Sequence, residues 1–145
     1  MINEKIEFLL WRSGGYLFGL ELPYCREIVN GVNITRLPRS PQFVRGLANL
    51  RGSVISVIDL EVLLGYKKEA MYQETATILR LRVAGYPVAV AADAISDTVF
   101  LSADDLEAPP ANLTESEGTF IRKVARTDDG LVLIPNLESI ATRIN

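Results

Sequence analysis

Cys25 is the only thiol in the chain, and there is no histidine at all. A nucleophilic cysteine needs a base or a cationic field to form its thiolate, and imidazole is the usual supplier. The nearest cation in sequence, Arg26, points to the opposite face of a strand from Cys25. Cys25 therefore reads as a packing or interface residue. The missing histidines also remove His general bases, His metal ligands and Ser-His-Asp triads. One cysteine allows neither an intramolecular disulfide nor a thiolate zinc cluster, and an unpaired thiol fits a reducing, cytoplasmic compartment. Two adjacent acid pairs, Asp104-Asp105 and Asp128-Asp129, are the remaining candidates for acid–base work. Such work needs carboxylates at a set separation with shifted pKa values, whereas both pairs lie in loop-like sequence and read as solvated turn residues. No catalytic residue, metal or cofactor is expected.

Glycine and arginine carry the other signals. Gly14-Gly15-Tyr16-Leu17-Phe18-Gly19 has no Lys-Ser or Lys-Thr after it and no helix behind it. It reads as a hairpin turn, not a phosphate loop. The stretch Arg45-Gly46-Leu47-Ala48-Asn49-Leu50-Arg51-Gly52 admits two readings: plain hairpin residues, or guanidinium groups presented by a rigid turn to a partner carboxylate. Arg36, Arg39 and Arg45 cluster in sequence, but the net charge of −3 gives no electrostatic reason to bind nucleic acid or an anionic membrane. No run is long and apolar enough to span a bilayer, and the acidic MINEKIEF start is not a signal peptide.

These side chains must be positioned by strands. Hydrophobic residues make up 48% and charged residues 23% of the 145 positions, a globular composition for about one domain. The dominant apolar period is two: Ile6, Phe8 and Leu10; Tyr16, Phe18, Leu20 and Leu22; Leu79, Leu81 and Val83; Tyr86, Val88, Val90 and Ala92. That period predicts half-buried strands. Ser13-Gly14-Gly15, Ala84-Gly85 and Thr127-Asp128-Asp129-Gly130 supply hairpin turns. Short helical signals follow Ser40, Asp59 and Asn136 as caps, the second stopped by Gly65. Residues 66–74 form a polar connector, and 102–119 a long loop with one turn of helix.

The halves repeat. A displacement of 70 residues carries Phe8, Gly15, Tyr16 and Leu20 onto Ile78, Gly85, Tyr86 and Val90. A displacement of 77 carries Phe43-Val44-Arg45 onto Phe120-Ile121-Arg122, and Asp59-Leu60-Glu61 onto Asn136-Leu137-Glu138. The predicted fold is all-β: two pseudo-repeated small barrels, about 1–65 and about 75–145, within one domain over 1–145 and with strands open to exchange. Units of this size are marginal alone, so they should share a core and leave a groove at their junction.

The segment from Ile34 to Leu60, with Leu37-Pro38, Phe43-Val44-Arg45-Gly46-Leu47, Asn49-Leu50-Arg51-Gly52 and Val57-Ile58-Asp59-Leu60, closely resembles the signature of the CheW-like domain family. Tyr16–Leu20, Glu27-Ile28-Val29 and Val88–Asp97 resemble its flanking strands, so the resemblance covers nearly the whole chain. It implies two five-stranded SH3-like barrels packed together, with short helices including a C-terminal one. It implies a non-catalytic adaptor that couples methyl-accepting chemoreceptor tips to the regulatory domain of a CheA-like histidine autokinase. Such an adaptor is cytoplasmic and recruited to membrane-associated receptor arrays. Carried onto this sequence, the receptor-binding positions are Leu22, Cys25, Glu27, Arg51, Ile95 and Val99, and the kinase-binding positions are Ile34, Leu37, Gly46 and Leu47. Lys123, Ser56 and Pro135-Asn136 depart from the family pattern. They leave open a module of a non-chemotaxis array, such as one for twitching or gliding. The chain starts at Met1 and ends just after its last helix, which favours a free-standing protein over a module of a larger kinase.

Overall fold

The computed structural model describes residues 4–144. In the first half β1 (Lys5–Ser13) and β2 (Tyr16–Glu21) form a hairpin. A 3₁₀ turn (Leu22–Tyr24), β3 (Cys25–Asn33), β4 (Val44–Leu50), β5 (Ser53–Ile58) and α1 (Leu60–Leu63) follow. The second half holds β6 (Thr75–Leu81), β7 (Val88–Ala92), β8 (Ala94–Ile95), β9 (Val99–Ser102) and a 3₁₀ turn (Ala103–Asp105). It continues through β10 (Leu106–Glu107), α2 (Glu115–Phe120), β11 (Ile121–Thr127), β12 (Gly130–Pro135) and α3 (Leu137–Arg143). The 77-residue displacement carries the bounds of β4 and β5 onto those of β11 and β12. The caps repeat too. Asp59 accepts from the Glu61 and Val62 amides ahead of α1, and Asn136 from the Ser139 amide ahead of α3. No helix forms after Ser40, whose hydroxyl instead donates to the Leu37 carbonyl.

The sheets do not divide the chain at residues 65–75. One has the order β3-β6-β7-β5-β4. The other runs β10-β11-β12-β2-β1-β8, with β9 also on β1. Each half thus lends its first hairpin to the other: β1–β2 sits among strands 94–135, and β6–β7 among strands 25–58. The parallel pairs β2/β12 and β5/β7 are the joints of this exchange. The five-stranded sheet closes where the Thr35 and Leu47 backbones exchange hydrogen bonds of 2.8 Å. The other sheet has seven strands, not five, because one edge is broken into β8, β9 and β10. Ser102 and Asp105 cap the intervening 3₁₀ turn reciprocally, and this turn carries the chain from β1 to β11. The 102–119 segment is therefore more ordered than a long loop. Its helix α2 is fixed by a Thr114–Glu117 capping box.

Three apolar clusters result. Val32, Ile55, Val57 and Ile78 fill the first barrel, and Phe8, Leu10, Leu17 and Val132 fill the second. Leu9, Trp11, Phe18, Leu20, Leu79, Leu81, Val88 and Val90 fill the space between them. Alternate residues of one strand thus enter different cores, and the central strands are buried on both faces, not half-buried. Trp11 is fully buried and stacks on Phe18 with centroids 5.7 Å apart. The shared cluster packs the two barrels against each other.

Candidate functional site

The shared core fills the middle of the seam between the barrels. Its margins carry the candidate surface. Cys25 pairs with Leu81, and Ile95 with Trp11, and both half-buried side chains pack on the shared core. The 70-residue displacement relates these two positions, so they mark equivalent margins of the two sheets. Ile28 pairs with Leu79, and Phe100 with Glu7, on the seam-facing sides of β3 and β9. They are 39% and 59% exposed. Neither was singled out from sequence: Ile28 stands beside Val29, and Phe100 between Val99 and Leu101, so alternation does not mark which side chain faces the seam. Val99 was singled out but points the other way. It pairs with Phe8 and packs into the second barrel's interior. Leu22 lies exposed on the 3₁₀ turn after β2. Burial pushes the Cys25 thiol up, and its bond to the Glu27 carbonyl (3.6 Å) offsets this only in part. A thiol in that state is a poor nucleophile.

Glu27 and Arg51 come together, but away from the seam. Glu27 pairs with Arg80 on the face that Val29 and Ile78 turn toward the first barrel's interior. Arg51 Nη2 donates to both Glu27 oxygens at 2.6 Å, and Arg80 Nη1 to one of them at 3.3 Å. The Arg51 hydrogen bond, seconded by Arg80, holds the Glu27 carboxyl below its ordinary range against the opposing effect of desolvation. Arg51 and Gly52, at φ 52° and 86°, form a two-residue hairpin turn of the primed type, closed by Asn49 Oδ1 on the Gly52 amide. Left-handed backbone at a non-glycine residue costs roughly 1–2 kcal/mol. The result is a 70% exposed guanidinium with further donors free to meet an outside carboxylate.

Arg45 takes the opposite role. It is the extra residue of a bulge between Val44 and Gly46, and the bulge re-aims its side chain inward. Its Nε donates to the fully buried Asp59 at 3.1 Å, with Lys67 Nζ 3.1 Å from the same oxygen. Of the two arginines in this stretch, Arg45 turns inward to Asp59, and Arg51 lies exposed beside Glu27.

The four kinase candidates also separate. Leu37 is exposed and Leu47 half-buried, so both offer surface. Ile34 is 5% exposed inside the first barrel and Gly46 is buried, so neither can be touched from outside. Gly46 has φ 150°, and a Cβ there would stand 2.4 Å from the Thr35 carbonyl oxygen. Glycine is thus required by the close approach that shuts the barrel. The second barrel closes at the same place, where Val124, the counterpart of Leu47, pairs with Glu107 of β10, and there Lys123 stands at the position of Gly46.

On the second barrel an apolar cleft of about 520 Å³ is lined by Tyr16, Tyr66, Pro109, Pro110, Leu113 and Leu131, among others. Tyr16 and Tyr66 stack at 4.3 Å, and the Tyr66 hydroxyl donates to Glu117 at 2.8 Å. Burial, then this hydrogen bond, pushes the Tyr66 phenol well up, and the same bond holds Glu117 down. Val124, the counterpart of Leu47, lines this cleft. Among the described residues no cluster of three or more Cys, Asp or Glu is placed to hold a metal, and no helix is long and apolar enough to cross a membrane.

Comparison with known proteins follows the same lines. A family model described as the CheW-like domain matches residues 7–145. Chemotaxis protein CheW of Rhizobium meliloti is 28% identical over 140 residues, covering 97% of this chain and 90% of the relative. Chemotaxis protein CheW of Klebsiella aerogenes is 23% identical over 134 residues, covering 92% and 80%. Protein FrzA of Myxococcus xanthus is 29% identical over 104 residues, covering 72% and 64%. Among solved structures, the scaffolding protein TtCheW from Thermoanaerobacter tengcongensis superposes with a TM-score of 0.76 at 27% identity, covering 93% of this chain and 90% of that one.

Proposed function

The chain belongs to the CheW-like domain family, and from that premise we propose that it is an adaptor coupling chemoreceptors to a histidine autokinase in bacterial chemosensory signalling. It scaffolds and does not catalyse. The observation that carries the reading is the pair of apolar margins beside a closed core: Cys25 and Ile28 on one sheet, Ile95 and Phe100 on the other. An amphipathic helix buries such side chains at i, i+3 and i+4 spacing, and the receptor's cytoplasmic hairpin tip offers such a helix. Leu22 on the exposed turn extends this surface, and Arg51, steadied by Glu27, adds a charge-assisted contact at the first barrel's end. Leu37 and Leu47 meet the kinase's regulatory domain, a homologous barrel, over a frame set by Ile34 and Gly46. The adaptor works in the cytoplasm and is drawn to receptor arrays by both contacts, each modest, whose simultaneous engagement gives avidity. The likeness to protein FrzA, which is not named a chemotaxis protein, favours as second reading the same role in a different motility array. The test is co-sedimentation of the kinase with receptor-bearing vesicles. The chain should carry the kinase down, and the Leu47→Glu chain should sediment alone. Equal kinase recovery with and without the chain would refute the reading.

A further inference from the structure

A second cleft, of about 470 Å³, opens between the barrels and is lined by Tyr24, Arg82, Ala84, Arg122, Leu137 and Glu138, among others. The internal repeat gives it a counterpart. Displacement by 77 residues relates Arg122, Asn136 and Glu138 to Arg45, Asp59 and Glu61. Displacement by 70 relates Arg82, Val83 and Ala84 to Arg12, Ser13 and Gly14. Arg45 and Arg122 even share a bulge, between Val44 and Gly46 and between Ile121 and Lys123.

The counterpart is full. After α1, Gly65 at φ 82° stops the helix and the chain turns back, with the Tyr66 and Lys67 amides donating to the Glu61 carbonyl. Lys67 Nζ then lies 3.1 Å from Asp59 Oδ2 and 3.7 Å from Glu61 Oε1. Gln73 Oε1 accepts from Arg45 at 3.4 Å, and the Ser13 hydroxyl donates to Glu61 at 3.2 Å. A bent stretch of chain and its ammonium group thus complete the site and bury both carboxylates.

The second cleft lacks this filling. Helix α3 runs on to Arg143, and no described segment folds back over Asn136 and Glu138. Arg122 turns to Glu21 at 3.3 Å, and Arg82 Nε donates to the Pro23 carbonyl at 3.2 Å. Glu138 is exposed and makes no ion pair among the described residues. We propose that this cleft docks a lysine-bearing segment of a partner protein, its ammonium meeting Glu138 as Lys67 meets Glu61. A second copy of this chain is not the occupant, because its matching segment is already engaged in its own barrel.

The chain supplies its own probe. A synthetic peptide of residues 65–74 is titrated into the isotope-labelled full chain, and backbone amide shifts are followed by NMR. Inside the protein this segment acts at an effective concentration on the order of millimolar, so the free peptide is carried into that range. Saturable shifts should centre on Ala84, Leu137 and Glu138 and weaken at high salt. A Lys67→Ala peptide should bind at least fivefold more weakly. Glu138→Lys, at an exposed site that leaves the remaining spectrum unchanged, should abolish the shifts, and a Lys67→Glu peptide should restore them. Absence of shifts at the cleft, or shifts indifferent to Glu138→Lys, would overturn the proposal.

Discussion

Replacing Phe100 by serine separates binding from folding. An aromatic side chain offers roughly 150–250 Å² for burial, and Phe100 leaves 59% of its surface exposed. A docked helix could therefore remove about 90–150 Å² more, worth roughly 2–4 kcal/mol at about 25 cal/mol per Å². Ordering at the interface takes the observable to the lower end, about 2 kcal/mol, or roughly a 30-fold rise in Kd. The fold already buries the remaining part of the side chain, about 60–100 Å², so stability should also fall, by roughly 1.5–2.5 kcal/mol. Val99→Ala is the internal control. Its side chain packs inside the second barrel with Phe8, so it should lose about 1–2 kcal/mol of stability and keep its affinity. The assay is fluorescence anisotropy with a labelled receptor-tip fragment, paired with urea unfolding. The reasoning fails if Phe100→Ser binds like the wild type, or if Val99→Ala loses affinity more than stability.

Three further outcomes follow from other parts of the molecule. Trp11→Ala removes the largest side chain of the shared core and should lower stability by about 3–5 kcal/mol; wild-type unfolding followed by tryptophan emission and by far-UV circular dichroism should coincide, and separate transitions would show that the barrels fold independently. Arg51→Gly relieves the left-handed backbone and removes the guanidinium, so the fold should hold its stability while receptor-dependent kinase activation drops; unchanged activation would reduce Arg51 to a turn residue. The Glu27 carboxyl sits below its ordinary value of 4.5 in the folded state, so its stabilising contribution is present above that pH and is lost as pH falls through the lower folded value; Glu27→Gln should show a shallower loss of stability below about pH 4.5, and an acid limb parallel to the wild type would contradict the assignment.

Much of this architecture was legible in the chain. Period-two alternation marked the strands, and the 70- and 77-residue displacements marked the repeat before any coordinates. Asp59 and Asn136 announced their helices because a cap is a local device. The hairpin exchange was not legible, since β1–β2 carries the same pattern whether it pairs within its own half or with the other. The seam residues failed for a related reason. Val99-Phe100-Leu101 is apolar at every position, so alternation does not say which side chain faces the seam. The bulge at Arg45 reverses a side chain without any sequence mark, which left Arg45 and Arg51 indistinguishable until the inward pair with Asp59 was seen. Ile34 and Gly46 were named from the family signature, but barrel closure at Thr35 and Leu47 encloses them.

The central claim is that one small protein presents two independent docking surfaces around a closed shared core. The most direct measurement is a pair of titrations on the double variant Ile28→Ser, Phe100→Ser: one against the receptor-tip fragment and one against the kinase's regulatory domain. Receptor affinity should collapse while kinase affinity stays at the wild-type value. Parallel loss of both, in a chain that remains folded, would mean a single surface and contradict the account.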